Sequence, residues 1–155
     1  RLPLVYNTGG YDSVKTLRLL NGIVDIYMPD MKYDDAAVAF EYSGARSYPA
    51  VNRAAVREMH RQVGDLVTDA RGIAQRGLIV RHLVLPEGKA GTRGVVEFLA
   101  NEISKDTYLN IMAQYRPCYR ARLLPPLDRG ITAAEYRTAV QLALDMGLTR
   151  LDKRF

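Results

Sequence analysis

The stretch Ile23-Val24-Asp25-Ile26-Tyr27-Met28-Pro29-Asp30-Met31-Lys32-Tyr33 decides how the rest of the chain is read. It opens as an apolar, β-branched run, which fits a buried strand. It closes in an acid, a base and an aromatic, spaced Asp30-x-Lys32-Tyr33. Side chains alternate along a strand, so Met28, Asp30 and Lys32 are expected on one side. In α/β folds the carboxyl ends of parallel strands are where ligands bind. The plainer alternative is a surface ion pair at a strand end, which contributes little to stability.

Working outward, residues 2–6 read as a short strand, followed by the turn Asn7-Thr8-Gly9-Gly10-Tyr11. Paired glycines permit backbone conformations that other residues resist and let a ligand approach the main chain. Asp12 or Ser13 can cap a helix with Val14, Leu17 and Leu20 on one face, ended by Asn21-Gly22. Residues 2–33 are therefore one βαβ unit.

A long polar connection, 33–52, follows, with a short helix near 36–41 and a break at Gly44-Ala45-Arg46-Ser47-Tyr48-Pro49. Asn52 is expected to cap a helix over 53–71, with Val56, Met59, Val63, Leu66 and Val67 as its apolar stripe and His60 at the border. Residues 78–85 read as an apolar strand interrupted by Arg81-His82 and ended by Pro86-Glu87-Gly88. Those two residues point to opposite faces, so only one looks into a cleft, and His82 reads as a hydrogen-bonded histidine beneath a helix. Arginine is a natural grip for a carboxylate, and a buried ion pair is its alternative. After Gly91-Thr92 a helix turns Val95, Val96, Leu99 and Ile103 inward. Residues 108–115 form the fourth strand, with Gln114 and Arg116 near its end, and 117–131 an extended Pro-containing connection. Thr132-x-x-Glu135 is a capping box for a last helix with Tyr136, Val140, Ala143 and Leu144 inward, stopping at Gly147. Residues 148–155 read as a tail or a short final strand.

The order β-α-β-(loop)-α-β-α-β-(loop)-α predicts an α/β fold with a parallel sheet and right-handed crossovers. Polar residues follow each strand, the layout of a barrel's active-site face, and four such units make a half-barrel or an open curved sheet.

Composition narrows the function. The 155 residues suit one domain with one sizeable core. No apolar run reaches transmembrane length and no signal peptide is visible. There are 22 Lys+Arg against 17 Asp+Glu, a formal net charge of +5. The excess is spread out, so no nucleic-acid partner and no membrane are expected. One cysteine, Cys118, excludes an internal disulfide and suggests a cytoplasmic protein. That thiol and two histidines make no Cys-rich metal site within this chain. Arg1-Leu2-Pro3 runs into a strand-like segment with no starting Met, and the chain is expected to be a piece of a longer protein.

Four segments then resemble a known family in order and interval. Tyr6-Asn7-Thr8-Gly9-Gly10-Tyr11, Asp25-Ile26-Tyr27-Met28-Pro29-Asp30-Met31-Lys32-Tyr33, Arg81-His82-Leu83-Val84-Leu85-Pro86 and Gln114-Tyr115-Arg116-Pro117 resemble the later part of a radical S-adenosylmethionine (SAM) protein. The nearest likeness is to the family related to pyruvate formate-lyase activating enzyme. The CxxxCxxC loop that binds that family's cluster, and its Gly-Gly-Glu-Pro motif, are absent here and belong upstream.

The resemblance implies part of a (β/α)6 barrel and an oxidoreductase in which a [4Fe-4S] cluster reductively cleaves SAM to a 5′-deoxyadenosyl radical. It implies a protein partner, a glycyl radical enzyme or a peptide, and an electron donor such as flavodoxin or ferredoxin. Cluster ligands would lie outside this chain, which alone is expected to be inactive. Position by position, the resemblance puts Asn7, Thr8, Met28, Asp30, Lys32, Arg81, His82 and Gln114 at the cofactor. Asn7 departs from the usual Asp-Thr pair and lacks the charge that could hold a monovalent cation there. Arg81 and Lys32 suit the SAM carboxylate, and Asp30 the ribose hydroxyls or a cation.

Two other classes compete. One is a non-catalytic α/β module holding a nucleotide or phosphate ligand at the Gly turn, although Asn7-Thr8-Gly9-Gly10 is neither a P-loop nor GxGxxG. The other is an interaction domain using the Arg-rich surface. A half-barrel would expose a sheet edge and apolar patches, so self-association is expected.

Overall fold

The chain is described as a computed structural model covering residues 2–152. In order it forms β1 (Val5–Thr8), α1 (Val14–Leu19), β2 (Ile26–Pro29), α2 (Ala36–Ser43), α3 (Tyr48–Val63), β3 (Val67–Thr68), β4 (Ala74–Leu83), α4 (Thr92–Phe98), β5 (Tyr108–Met112) and α5 (Ala133–Asp145). The apolar run around Ile26 becomes an interior strand, paired in parallel with β1 on one edge and β4 on the other. β5 joins the far edge of β4, also in parallel. Leu151 then bridges Leu109 in parallel, so the predicted tail adds an isolated β-bridge to the sheet rather than a strand; residues 153–155 of that tail lie outside the described part. The α/β parallel sheet read from the sequence is therefore present, and its principal strands stand in chain order, β1-β2-β4-β5.

One face of the sheet is dry. Tyr27, Leu78, Val80, Leu109 and Ile111 pack there with Leu17 of α1, Val56 and Met59 of α3, Val95 and Val96 of α4, and Ala139 and Ala143 of α5. The opposite face takes the alternate residues. Asn7, Met28, Asp30, Ile79, Arg81, Asn110 and Met112 lie there with part of their surface in solvent.

Several boundaries differ from the sequence reading. The helix expected over 53–71 runs instead over Tyr48–Val63. Pro49 starts it, because a fixed φ and a missing N–H suit the first turn. Asn52 is consequently not its cap but a buried residue one turn inside. Leu66 and Val67 leave the expected stripe. The Asp69 side chain accepts the N–H groups of Arg71 and Ile73, and this tight turn reverses the chain so that β3 lies antiparallel on the start of β4. At Gly77, with φ 122°, any Cβ would fall against the Asp65 carbonyl, so this close approach requires glycine.

β5 ends at Met112, short of the predicted 115. Ser13 stands at the start of α1 without a side-chain cap bond, and Asp12 turns instead to the hydroxyls of Tyr6 and Thr8. The capping box of α5 forms as predicted: Glu135 N–H donates to Thr132 Oγ1 at 3.1 Å and Thr132 N–H to Glu135 Oε2 at 2.7 Å. Leu144, expected inward, is exposed, because Ala139 and Ala143 set the buried stripe of α5. Among the described residues no helix is long and apolar enough to cross a membrane.

Candidate functional site

The parallel register brings the ends of β1, β2 and β4 level. Asn7 pairs with Met28, and Asp30 bridges Arg81. On the half-open face Arg81 reaches across β2. Its Nε lies 2.8 Å and its terminal nitrogen 2.6 Å from Asp30 Oδ1, while Nη2 donates to Asn7 Oδ1 at 2.8 Å. Lys32 Nζ approaches Asp30 Oδ2 at 3.3 Å. Asp30 keeps 15% of its side chain exposed and Lys32 44%, so the carboxylate sits below a cation that still meets solvent. Two cations share one carboxylate. The cluster has a surplus positive charge and guanidinium donors beyond those used internally, which suits a ligand carboxylate.

The turn between β1 and α1 closes this end from the side. Gly10, at φ 75°, has its Cβ direction filled by Asn52 Nδ2 and the Asp30 carbonyl, so glycine is required there. Gly10 N–H donates to Thr8 Oγ1 at 3.1 Å. From α3, the Asn52 amide donates to Gly10 O and Asp30 O, and the Tyr48 hydroxyl lies within hydrogen-bond reach of Gly9 O and Asp30 O while accepting Lys32 N–H. Burial pushes the Tyr48 phenol up, so it remains a neutral donor. The Gly turn is thus occupied by its own protein.

Five of the eight predicted residues come together: Asn7, Met28, Asp30, Lys32 and Arg81. The other three do not join them. Thr8 points to the helix side of β1, where its hydroxyl donates to Asp12 Oδ2 at 2.6 Å. His82, next to Arg81 on a strand, falls on the opposite face and is fully buried beneath α4. Its Nδ1 donates to Met31 O at 2.7 Å, and Nε2 lies 2.9 Å from the Thr92 hydroxyl, which donates to it when the ring is neutral. Burial lowers its pKa accordingly. Gln114 lies beyond the end of β5, exposed, touching only the Met112 sulfur among the described contacts. Pro86-Glu87-Gly88 also turns away, with Glu87 N–H donating to Glu135.

Sequence reasoning missed Tyr48, Asn52 and Asn110. Reading Pro49 as a helix start would have brought the first two onto α3. The partnering of Asn110 with Arg81 depends on strand register alone.

Other polar groups are structural. Asp65 lies between His60 and Ser104 and accepts from Ser104, so this is no Ser-His-acid relay. Asp34, paired to Arg53, fills the space beside Gly91 and Gly94 at the start of α4. Glu58 is held down to about 2 by the Arg61 guanidinium and the Gln62 amide. Among the described residues no group of three or more His, Cys, Asp or Glu could hold a metal ion, and Cys118 is a lone exposed thiol.

No family model matches the sequence, and no solved structure matches it. An uncharacterised protein of Methanocaldococcus jannaschii is 28% identical over 143 residues, which cover 92% of this chain. The chain spans 38% of the length of that curated relative.

Proposed function

We propose that this chain is the later part of a radical SAM barrel of the glycyl-radical-activating kind, and that it binds SAM on the half-open sheet face. The observation that carries the reading is the grip of Arg81 on Asp30 and Asn7, which joins three strand ends into one cationic site. The chain-order parallel sheet, with helices against one face, supports an arc of a barrel.

Arg81 and Lys32 bind the carboxylate of SAM. Asp30 accepts from both cations and so orients them, with its remaining lone pairs available to ribose hydroxyls. Met28 lines the same face and offers an apolar wall. Tyr48 and Asn52 are positioning residues that hold the Asp30 backbone against the Gly turn. Bound SAM supplies a reductively cleavable sulfonium and, through it, hydrogen-abstraction chemistry. The cluster that reduction requires would be held by residues outside this chain.

The test is electron paramagnetic resonance on the polypeptide that carries this chain, prepared anaerobically with iron and sulfide and then reduced. A [4Fe-4S] signal that changes on adding SAM is expected, and Arg81→Met should keep the signal while losing the change. Absence of a cluster, with nucleotides binding where SAM does not, would favour the nucleotide-binding module.

A further inference from the structure

Two long connections meet above the ends of β2 and β4. Leu85, Ala90 and Leu127 form a second small core, packed by Tyr33 and Tyr42 from one connection and by Tyr115 and Ala121 from the other. The Tyr115 hydroxyl donates to Leu127 O at 2.7 Å, which fastens both ends of the second connection. Between these anchors the chain displays Tyr119, 89% exposed, and Leu123, 79% exposed. Arg116, Arg120 and Arg122 are exposed with them. Residues 107–127 contain these three arginines and no Asp or Glu. By contrast, Arg53, Arg57, Arg61, Arg71, Arg81 and Arg129 all meet carboxylates. Tyr119 also has φ 50°, a conformation unfavourable for a bulky residue, and keeps its ring outward.

An anchored turn that presents arginines beside an exposed tyrosine carries residue types enriched in protein-binding hot spots, and Leu123 adds an apolar neighbour. Nucleic acid would call for a longer basic stripe; a single strand would stack a base on Tyr119 but leave Leu123 unmatched. We propose that the turn over residues 116–124 docks an acidic polypeptide, with its carboxylates on the arginines and its apolar side chains on Tyr119 and Leu123. The inference goes beyond the SAM reading and rests on the turn's own residues.

The test is fluorescence anisotropy of the full chain with a labelled peptide in which Glu alternates with Leu and Phe. Labelled single-stranded DNA and phosphatidylserine vesicles are the comparison probes. The peptide should bind best, and Arg120→Glu with Arg122→Glu should weaken it about tenfold or more. Tyr119→Ser with Leu123→Ser should weaken it about threefold or more at high salt, where charge is screened. Circular dichroism melts of these surface variants should match the parent. Absence of peptide binding, equal or tighter binding of DNA or vesicles, or indifference to either pair of substitutions would overturn the proposal. No SAM is used, so failure here leaves the ligand reading standing, and loss of SAM binding leaves the docking turn standing.

Discussion

Arg81 and Asp30 meet twice: their backbones form a parallel bridge, and their side chains close to 2.6 Å across the same pair of strands. They are 51 residues apart in sequence. The bridge sets the side-chain distance, so the ion pair is preorganised by the sheet rather than assembled from two free side chains. Lys32 then leans on the other carboxylate oxygen.

This arrangement predicts an asymmetry. Asp30→Asn leaves Arg81 and Lys32 side by side without their carboxylate and should cost about 1–3 kcal/mol. Arg81→Met leaves Asp30 still paired with Lys32 and should cost less. Urea unfolding of both variants and the double variant measures the coupling, expected at about 0.5–3 kcal/mol. Additive effects would reduce the pair to an ordinary surface contact. Both single variants should also weaken SAM binding by isothermal titration calorimetry.

The two glycines after β1 should differ. A Cβ on Gly10 runs into Asn52 and the Asp30 carbonyl, at φ 75°. Gly10→Ala is expected to destabilise by about 1–3 kcal/mol or more. A Cβ on Gly9 meets Lys32 Nζ at 3.6 Å, an ordinary contact. Gly9→Ala should stay within about 0.5 kcal/mol of the parent. Equal losses in thermal melts would contradict the packing of Asn52 under this turn.

His82 should give stability a pH dependence. Burial lowers its folded pKa beneath the ordinary 6.5, so below that value the unfolded chain takes up a proton that the folded chain refuses. The His82 contribution is therefore complete above about pH 6.5 and is lost as pH falls towards the folded pKa, at a slope of at most about 1.4 kcal/mol per pH unit. Melting temperatures of the parent and His82→Gln, taken from pH 8 to pH 5, should converge on acidification. A parallel decline would place the titration elsewhere.

The outer edge of β1 carries a prediction about association. Leu4 and Val5 are about half exposed, and among the described residues β1 pairs with β2 alone. An uncovered apolar edge templates strand pairing. Light scattering after size-exclusion chromatography should show concentration-dependent dimers, reduced by Val5→Lys. A monomer at all concentrations would count against the open edge.

Much of this architecture was legible in one dimension. Alternating apolar strands and 3.6-period helices predicted the parallel α/β sheet, and Thr132 with Glu135 announced a capping box that forms. Period two placed Asp30 with Met28, and put Arg81 and His82 on opposite faces. These features are local, since a strand's alternation and a helix's first turn depend on neighbours a few residues away. That His82 would lie beneath a helix was favoured by residue type alone; that the helix is α4, supplying Thr92, was decided by tertiary structure. Thr8 lost its expected place because Asp12 folds back to the helix side. Residues 64–71 left the helix because the Asp69 turn and the pairing of β3 with β4 outweighed an apolar spacing that continued past Gly64. Asn52, a cap in the linear reading, became the brace between Gly10 and Asp30 once Pro49 moved the helix start. The cap built from Tyr33, Tyr42, Tyr115 and Leu127 joins residues too distant in sequence for any local pattern to announce. Propensity and periodicity determine which segments are strands and helices; only packing decides which of their polar residues share a face, because that depends on register between strands and on which side the helices cover.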